Sequence, residues 1–170
     1  TFIGLSDLPE NTYAVSLGAN WKGFGLSVMF QGVDHVSRYY DAEAMYAFVA
    51  GGKVKEHHLD RWNPAMSEAQ NLANAKYPLL HYDSYGNHNQ RQNSFFLKNG
   101  AFCRLKNIEV SYSLPLKWIK HVWMSQCRVY VNANNLITWD HLDGLTDPEN
   151  NGSNKYPICK TVNVGVSIQF

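Results

Sequence analysis

Charge is what this chain has little of: Asp, Glu, Lys and Arg make up 17% of it, against roughly a quarter in soluble domains, while 14% of its residues are aromatic. Broad aromatic surfaces are the expected result. The formal net charge is +1, and no Lys/Arg cluster is interleaved with aromatics, so nucleic acid is not expected as a partner. No apolar run approaches the ~20 residues of a membrane-spanning helix. The start, Thr1-Phe2-Ile3-Gly4, lacks the basic residues and apolar stretch of a signal peptide. A soluble chain remains possible, and so does a piece of a β-barrel whose export signal lies elsewhere in a longer protein. A length of 170 residues with 45% hydrophobic content suits one packed domain and excludes neither.

Recognisable reaction chemistry is also missing. Three cysteines, Cys103, Cys127 and Cys159, are widely spaced and form no Cys-x-x-Cys pair, so they read as small apolar residues. A Cys103 to Cys127 bridge would require neighbouring antiparallel strands to set the two opposite one another. Among seven histidines, His57 and His58 are adjacent and point apart, and no His-Glu-x-x-His spacing occurs. Asp140-x-x-Asp143-Gly144, with Asp147 and Glu149, offers oxygen ligands without the rhythm of a calcium loop. There is no Gly-x-Ser-x-Gly elbow, and the carboxylates are too scattered to form a glycosidase pair. No catalytic residue, metal or cofactor is expected. Asn151-Gly152-Ser153 fits a glycosylation acceptor only formally.

What the chain does have is alternation. Tyr13, Val15, Leu17, Ala19 and Trp21 share one face of a strand over about 12–21, opposite Ala14, Ser16, Gly18 and Asn20. After Lys22-Gly23, Phe24, Leu26, Val28 and Phe30 alternate with Gly25, Ser27, Met29 and Gln31 in a strand over about 23–33, which predicts a tight hairpin. Ile108, Val110, Tyr112 and Leu114 mark a strand over about 101–114; Cys127, Val129, Val131 and Ala133 mark another over about 126–138. A last one, about 160–170, sets Val162, Val164, Val166, Ile168 and Phe170 opposite Thr161, Asn163, Gly165, Ser167 and Gln169.

The connections run short, long, medium and long: Lys22-Gly23, about 34–100, 115–125, and about 140–159. Outer-membrane barrels have short turns on the periplasmic side and long loops outside, and with Phe170 at the periplasm this chain obeys the same parity. In the first long loop, Asp41 to Ala50 has helix formers with acidic residues at its start and Gly51-Gly52 at its end, predicting a short helix. The stretch from Asn63-Pro64 to Gln90 is turn-rich and reads as irregular loop.

A soluble β-sandwich alternates too, but its solvated face usually carries many Lys and Glu. Here the polar positions are mainly Ser, Asn, Gly, Thr and Gln, with Glu109 and Arg128 as exceptions, which suits a watery or packed lumen. Arg104 and Lys106 fall in phase with the apolar face of Ile108. The eight residues from Leu114 back to Lys106, at roughly 3.3 Å each and tilted, climb about 20 Å, which would put both cations at the outer interface. Phe24, Tyr112, Trp118, Trp123 and Phe170 gather at the opposite ends, as an aromatic girdle does. Five open strands leave two bare edges, so further strands must be supplied.

Several phrases occur together in one order: Phe24 to Gly32, Asp60-Arg61-Trp62-Asn63-Pro64, Ala75-Lys76-Tyr77-Pro78, Phe96 to Asn107, Tyr112-Ser113-Leu114-Pro115, Val129 to Trp139, Gly144-Leu145 with Asp147-Pro148-Glu149, and the terminal Phe170. Together they resemble the C-terminal region of the SusC/RagA family of TonB-dependent outer-membrane transporters, over nearly all of the chain. Cys103 and the stretch after Gly144 depart from the family's usual phrases. The resemblance implies an all-β fold, an antiparallel transmembrane barrel of 22 strands with long extracellular loops. It also implies that the plug domain and the TonB-contacting segment belong to an N-terminal part absent from this chain. Partners implied are that remainder, a SusD-like surface lipoprotein serving as a lid, the TonB complex and the lipid bilayer. The site would be the outer membrane of a Gram-negative bacterium and the cargo oligosaccharides or peptides.

Within that expectation Trp62, Tyr82, Tyr85 and Trp139 are candidates to stack on sugar rings or peptide side chains. Asn134, Asn135, Asp140 and His141 are candidates to hydrogen-bond hydroxyls or amides. Ordinary loop packing would account for the same residues. The in-phase set Val162, Val164, Val166, Ile168 and Phe170 would serve as the barrel-assembly signal. A soluble secreted β-sandwich that binds carbohydrate is the alternative, distinguished by whether the protein needs detergent; a β-rich hydrolase stands behind both.

Overall fold

A computed structural model describes residues 3–40, 46–48, 53–80, 93–150 and 155–170. Five long strands, β1 (Asn11–Trp21), β2 (Phe24–Asp34), β5 (Phe102–Ser113), β6 (Gln126–Asp140) and β7 (Thr161–Gln169), form one antiparallel sheet in the order β1-β2-β5-β6-β7. Each pairs with its sequence neighbour among the five, so the sheet is an open meander. The short β3 (Ser37–Tyr39) and β4 (Leu97–Asn99) pair separately. They zip together the two ends of the long excursion between β2 and β5.

The first hairpin follows from its turn residues. Lys22 and Gly23 both have positive φ, 48° and 90°, which is the two-residue turn whose twist matches that of the flanking strands. Register then carries the alternation across the sheet. Leu17 faces Val28, Val28 faces Ile108, Ile108 faces Ala133, and Ala133 faces Val162. One face is therefore apolar on all five strands. It lies open: Leu17 on β1 is 61% exposed, Val110 on β5 50% and Val164 on β7 74%. The buried clusters, Tyr40 with Phe96 and Leu142, and Val33 with Val36 and Phe102, belong instead to the long connections and the strand ends beside them.

The β5 register corrects the expectation for Arg104. Met29 faces Asn107 while Phe30 faces Leu105, so Lys106 is an extra residue in β5; on the other side it is opposed by Asn135 and Leu136 of β6. A bulge of this kind reverses the phase of the strand beyond it. Leu105 and Cys103 take over the apolar face, while Arg104, opposite Gln31 and Thr138, turns to the polar face and is 2% exposed. Arg104 is a buried residue of the polar side, not a cation at a lipid interface.

Cys103 lies opposite Trp139 and Cys127 opposite Ile168, near opposite ends of the sheet. They cannot bridge, and all three cysteines are free. The helix expected over Asp41 to Ala50 falls mostly outside the described residues; of it, only 46–48 are described, with a turn at Ala47-Phe48. A helix does occur where irregular loop was expected: α1 (Glu68–Asn74), capped by Ser67, whose hydroxyl accepts from the Gln70 amide while the Gln70 side chain accepts from the Ser67 amide. A second, α2 (Leu116–Ile119), lies in the connection between β5 and β6.

On the polar face Gly165 is opposite Tyr130 and lies under its ring, where a Cβ would stand 2.4 Å from the ring carbon Cζ. Gly165→Val therefore lowers the thermal midpoint of the protein carrying this chain, at a cost of about 1–3 kcal/mol for overpacking. In a Tyr130→Ala background the same substitution costs much less, which a double-mutant cycle of melting curves measures.

Candidate functional site

The polar face is hydrogen-bonded across the strands. Asn107 donates to Asn134 at 2.9 Å, Asn134 to Thr161 at 3.2 Å and Asn163 to Asn132 at 2.9 Å. Lower on the same face, Arg128 donates to Glu109 and, at 3.1 Å, to Ser111. Its guanidinium lies 5.7 Å from the Tyr130 ring. Uncharged amides opposite amides satisfy one another without the desolvation cost of charges, so this wall stays polar while remaining ordered.

At the long-connection end, charge concentrates. Arg104 donates Nη2 to Asp147 Oδ1 at 2.8 Å and Nη1 to Glu149 Oε2 at 3.0 Å; Lys106 Nζ lies 2.7 and 2.8 Å from the two oxygens of Glu149. The Asp147 and Glu149 side chains are only 10% and 14% exposed. Asp147 also folds its own loop, accepting from the amides of Glu149 at 2.9 Å and Ile158 at 3.3 Å. The β6–β7 connection is thereby fastened to β5. These two carboxylates, offered by the sequence as oxygen ligands, are committed to cations.

Beside this cluster opens a cleft of about 460 Å³, lined by Arg104, Asn135, Asp140, Asn150, Lys155 and Lys160 among others. Asn135, held at φ 54° in the bulge, donates to the Cys159 carbonyl at 3.2 Å. Its Oδ1 and Arg104 Nε are buried and find no protein partner. Asp140 accepts from the Leu142 amide at 2.8 Å.

The two long connections also hold one another. The Tyr40 hydroxyl donates to the Leu142 carbonyl, Lys98 lies 3.8 Å from Asp143, and Arg38 donates to the Pro148 carbonyl at 3.4 Å. Burial, with the Asp143 carboxylate nearby, pushes the Tyr40 phenol well above its ordinary range, so it remains a donor. Further out, Asp60 to Asn63 runs beside Tyr77: Trp62 donates to the Tyr77 carbonyl at 2.9 Å, and Lys76 and Tyr77 donate to the Asp60 carbonyl at 2.8 and 3.1 Å. Buried Asn71 ties α1 to this pair, accepting from Asn63 at 2.8 Å and donating back to its carbonyl at 2.9 Å.

The structure thus separates the residues singled out from sequence. Asn135 and Asp140 meet at the cleft, and Asn134 stands on the same polar face. His141 is exposed, and Trp62 sits beside Tyr77 in the connection between β3 and β4. Trp139 faces the other way, opposite Cys103 on the apolar face and 6.4 Å from the Phe30 ring. Tyr82 and Tyr85 lie outside the described residues. Val162, Val164, Val166 and Ile168 are exposed along the apolar face of the edge strand β7. Sequence reasoning missed the pairing of Arg104 and Lys106 with Asp147 and Glu149; two cations at i, i+2 matched by two carboxylates at i, i+2 were the available signal.

No family model matches the chain. Among curated proteins it is similar to TonB-dependent receptor P3 of Formosa agariphila, 28% identical over 96 residues, which take in 48% of this chain and 10% of that protein. Among solved structures it is similar over its whole length to the RagAB peptide importer in its open-open state, with a TM-score of 0.70 at 28% identity. The RagAB peptide transporter gives 0.75 at 27%. In both cases the chain spans 18% of the solved chain. The relatives are a receptor, an importer and a transporter.

Removing Arg104 leaves Asp147 and Glu149 short of their partner in a nearly buried site, a change that costs about 3–5 kcal/mol in comparable settings. Arg104→Met should accordingly expose residues 141–160 to limited proteolysis and lower the melting temperature. Lys106→Met, whose side chain is 29% exposed, should do so less. Equal protease resistance in Arg104→Met and the parent sequence would show that the cluster does not fasten the loop.

Proposed function

We propose, from the premise that this chain is part of a SusC/RagA-type TonB-dependent receptor, that it forms barrel wall and extracellular loops of a transporter that imports nutrients across the outer membrane. The observation that carries the reading is the sheet itself. One face is apolar on five consecutive strands and open, the other is polar and hydrogen-bonded across the strands, and both long connections leave from the same end. A soluble sandwich would need a second sheet over the apolar face, and the described residues supply none. In the barrel reading that face meets lipid, the polar face lines the lumen, the long connections lie outside, and the short ones face the periplasm.

The substrate class we assign is peptide rather than oligosaccharide. Support comes from the likeness to RagAB and from the cleft, where Lys155, Lys160 and Asp140 offer charges of both signs to peptide termini and side chains. Trp139, between the lining residues Thr138 and Asp140, faces away from the cleft and cannot stack on a sugar there. A SusD-like lipoprotein closing over the long loops, 22 strands in the complete barrel, and energy from TonB complete the proposal.

In outer-membrane fractions, the full-length parent protein should resist extraction by high salt and alkaline carbonate and migrate faster on a gel unheated than boiled. Release into the wash would return the chain to the soluble class. Phe170→Asp, which puts a charge at the end of the in-phase apolar series on β7, should abolish insertion; normal surface levels of that variant would remove Val162 to Phe170 from their role as an assembly signal.

A further inference from the structure

The long-connection end of the sheet is laced through the small β3–β4 pair. The Tyr40 amide donates to the Phe96 carbonyl and the Gly100 amide to the Val36 carbonyl, both at 2.9 Å, and these bonds close the pair at its two ends. Val36, Tyr40 and Phe96 are buried. Two further segments reach this neck. Residues 4–8, which lead into β1, dock through Ser37: its amide donates to the Ser6 carbonyl at 2.9 Å, and its hydroxyl accepts from the Leu5 amide at 2.9 Å. The β6–β7 connection docks through buried Leu142, which packs with Tyr40 and Phe96 and whose carbonyl accepts from the Tyr40 hydroxyl.

One side chain spans all three. Arg38, in β3, donates Nη1 to the Asp7 carbonyl at 2.8 Å and Nη2 to the Pro148 carbonyl at 3.4 Å. The guanidinium is a rigid planar fork, so the two carbonyls are held relative to one another as well as to β3. A Cβ on Gly100 would stand 2.6 Å from Arg38 Cγ, so glycine at that position of the neck gives the arginine stem its path. Pro148 belongs to the stretch 144–148 that lines the cleft, and the next residue, Glu149, is the one bound by Arg104 and Lys106. The cleft wall is gripped twice, from β5 through its carboxylates and from β3 through its backbone. Segments that share buried contacts and hydrogen bonds in this way open as contiguous cooperative units, not one by one.

We propose that residues 4–8, the β3–β4 neck and residues 142–149 open and close as one cooperative unit, with Arg38 the positioning residue that links the segment before β1 to the wall of the cleft. Linkage then works both ways: whatever fixes the cleft wall steadies residues 4–8, and whatever frees 4–8 loosens the wall. The test is amide hydrogen exchange on the full-length parent protein and on Arg38→Gln. Losing two charge-assisted bonds, one of them long, should speed exchange about tenfold, equivalent to about 1.4 kcal/mol. The factor should be the same at the amides of Leu5, Ser37, Gly100, Leu145 and Glu149, each of which donates within the unit. The amides of Asn71 and Ala75, bonded to Ser67 and Asn71 in and beside α1, should keep their rates. Arg38→Lys, which can hold one carbonyl but not both, should give a smaller factor that is again uniform, and Leu142→Ala, acting from the other side of the neck, should speed the same five amides together. Faster exchange confined to Leu5, or to Leu145 and Glu149, overturns the proposal; so do unchanged rates at all five, or an equal acceleration in α1 while the β1–β2 ladder stays protected. Where Arg38→Gln costs that ladder its protection, Arg38→Lys and Leu142→Ala carry the same comparison. The measurement is the same whether the parent protein is recovered from membranes or from the wash, so its outcome is independent of the barrel reading.

Discussion

The structure depends on keeping one face of a five-stranded sheet free of charge while every strand carries polar residues on the other. Side chains alternate with a period of two, so one extra residue anywhere would send a whole half-strand to the wrong side. The bulge at Lys106 uses that sensitivity. By inserting one residue into β5 where β2 has none and β6 has two, it turns Arg104 away from the apolar face and puts Leu105 there, opposite Phe30 and Ile137. An arginine left on a lipid-facing surface costs up to about 2–4 kcal/mol near the midplane. Turned to the polar side, the same guanidinium becomes the fastening for a loop.

That fastening explains where the buried residues lie. A sheet with an open apolar face has no core of its own there, and the interior of this chain is built between the long connections instead. β3 and β4 close the neck of the first connection, Tyr40 and Phe96 meet Leu142 of the second, and Arg104 and Lys106 hold Asp147 and Glu149 at its root. The described parts of the long connections therefore form a docked layer over one end of the sheet, with the cleft of Asn135 and Asp140 between layer and sheet. The opposite end contrasts with it: short connections, no acidic residues in 20–25 and 114–128, and rings turned outward.

The candidate site was less legible than the fold. Asn134, Asn135 and Asp140 lie close together because all three belong to β6. Trp139 shows the limit of reading a side chain by its chemistry: its ring suits stacking on a ligand, yet it stands six residues from Ala133, and alternation alone puts it on the apolar face. α1 announced itself through Ser67 and Gln70, a capping pair inside a stretch whose Asn and Pro residues read as turns. The contact between the Asp60 to Asn63 phrase and Tyr77 is held by main-chain hydrogen bonds, and such bonds leave no trace in residue type.

By itself the sequence determined the five long strands, the alternation that gives each an apolar and a polar face, the tight turn at Lys22-Gly23 and the all-β class, because each follows from local periodicity and from residues with special backbone freedom. Only the tertiary structure decided the register, and with it the bulge at Lys106, the side on which Arg104 lies, the partners of Asp147 and Glu149, and the separation of Cys103 from Cys127. The physical reason is that alternation within a strand is a local property, whereas the pairing of one strand with the next is a contact between distant residues. A single unpaired residue in that contact changes which face every later side chain occupies.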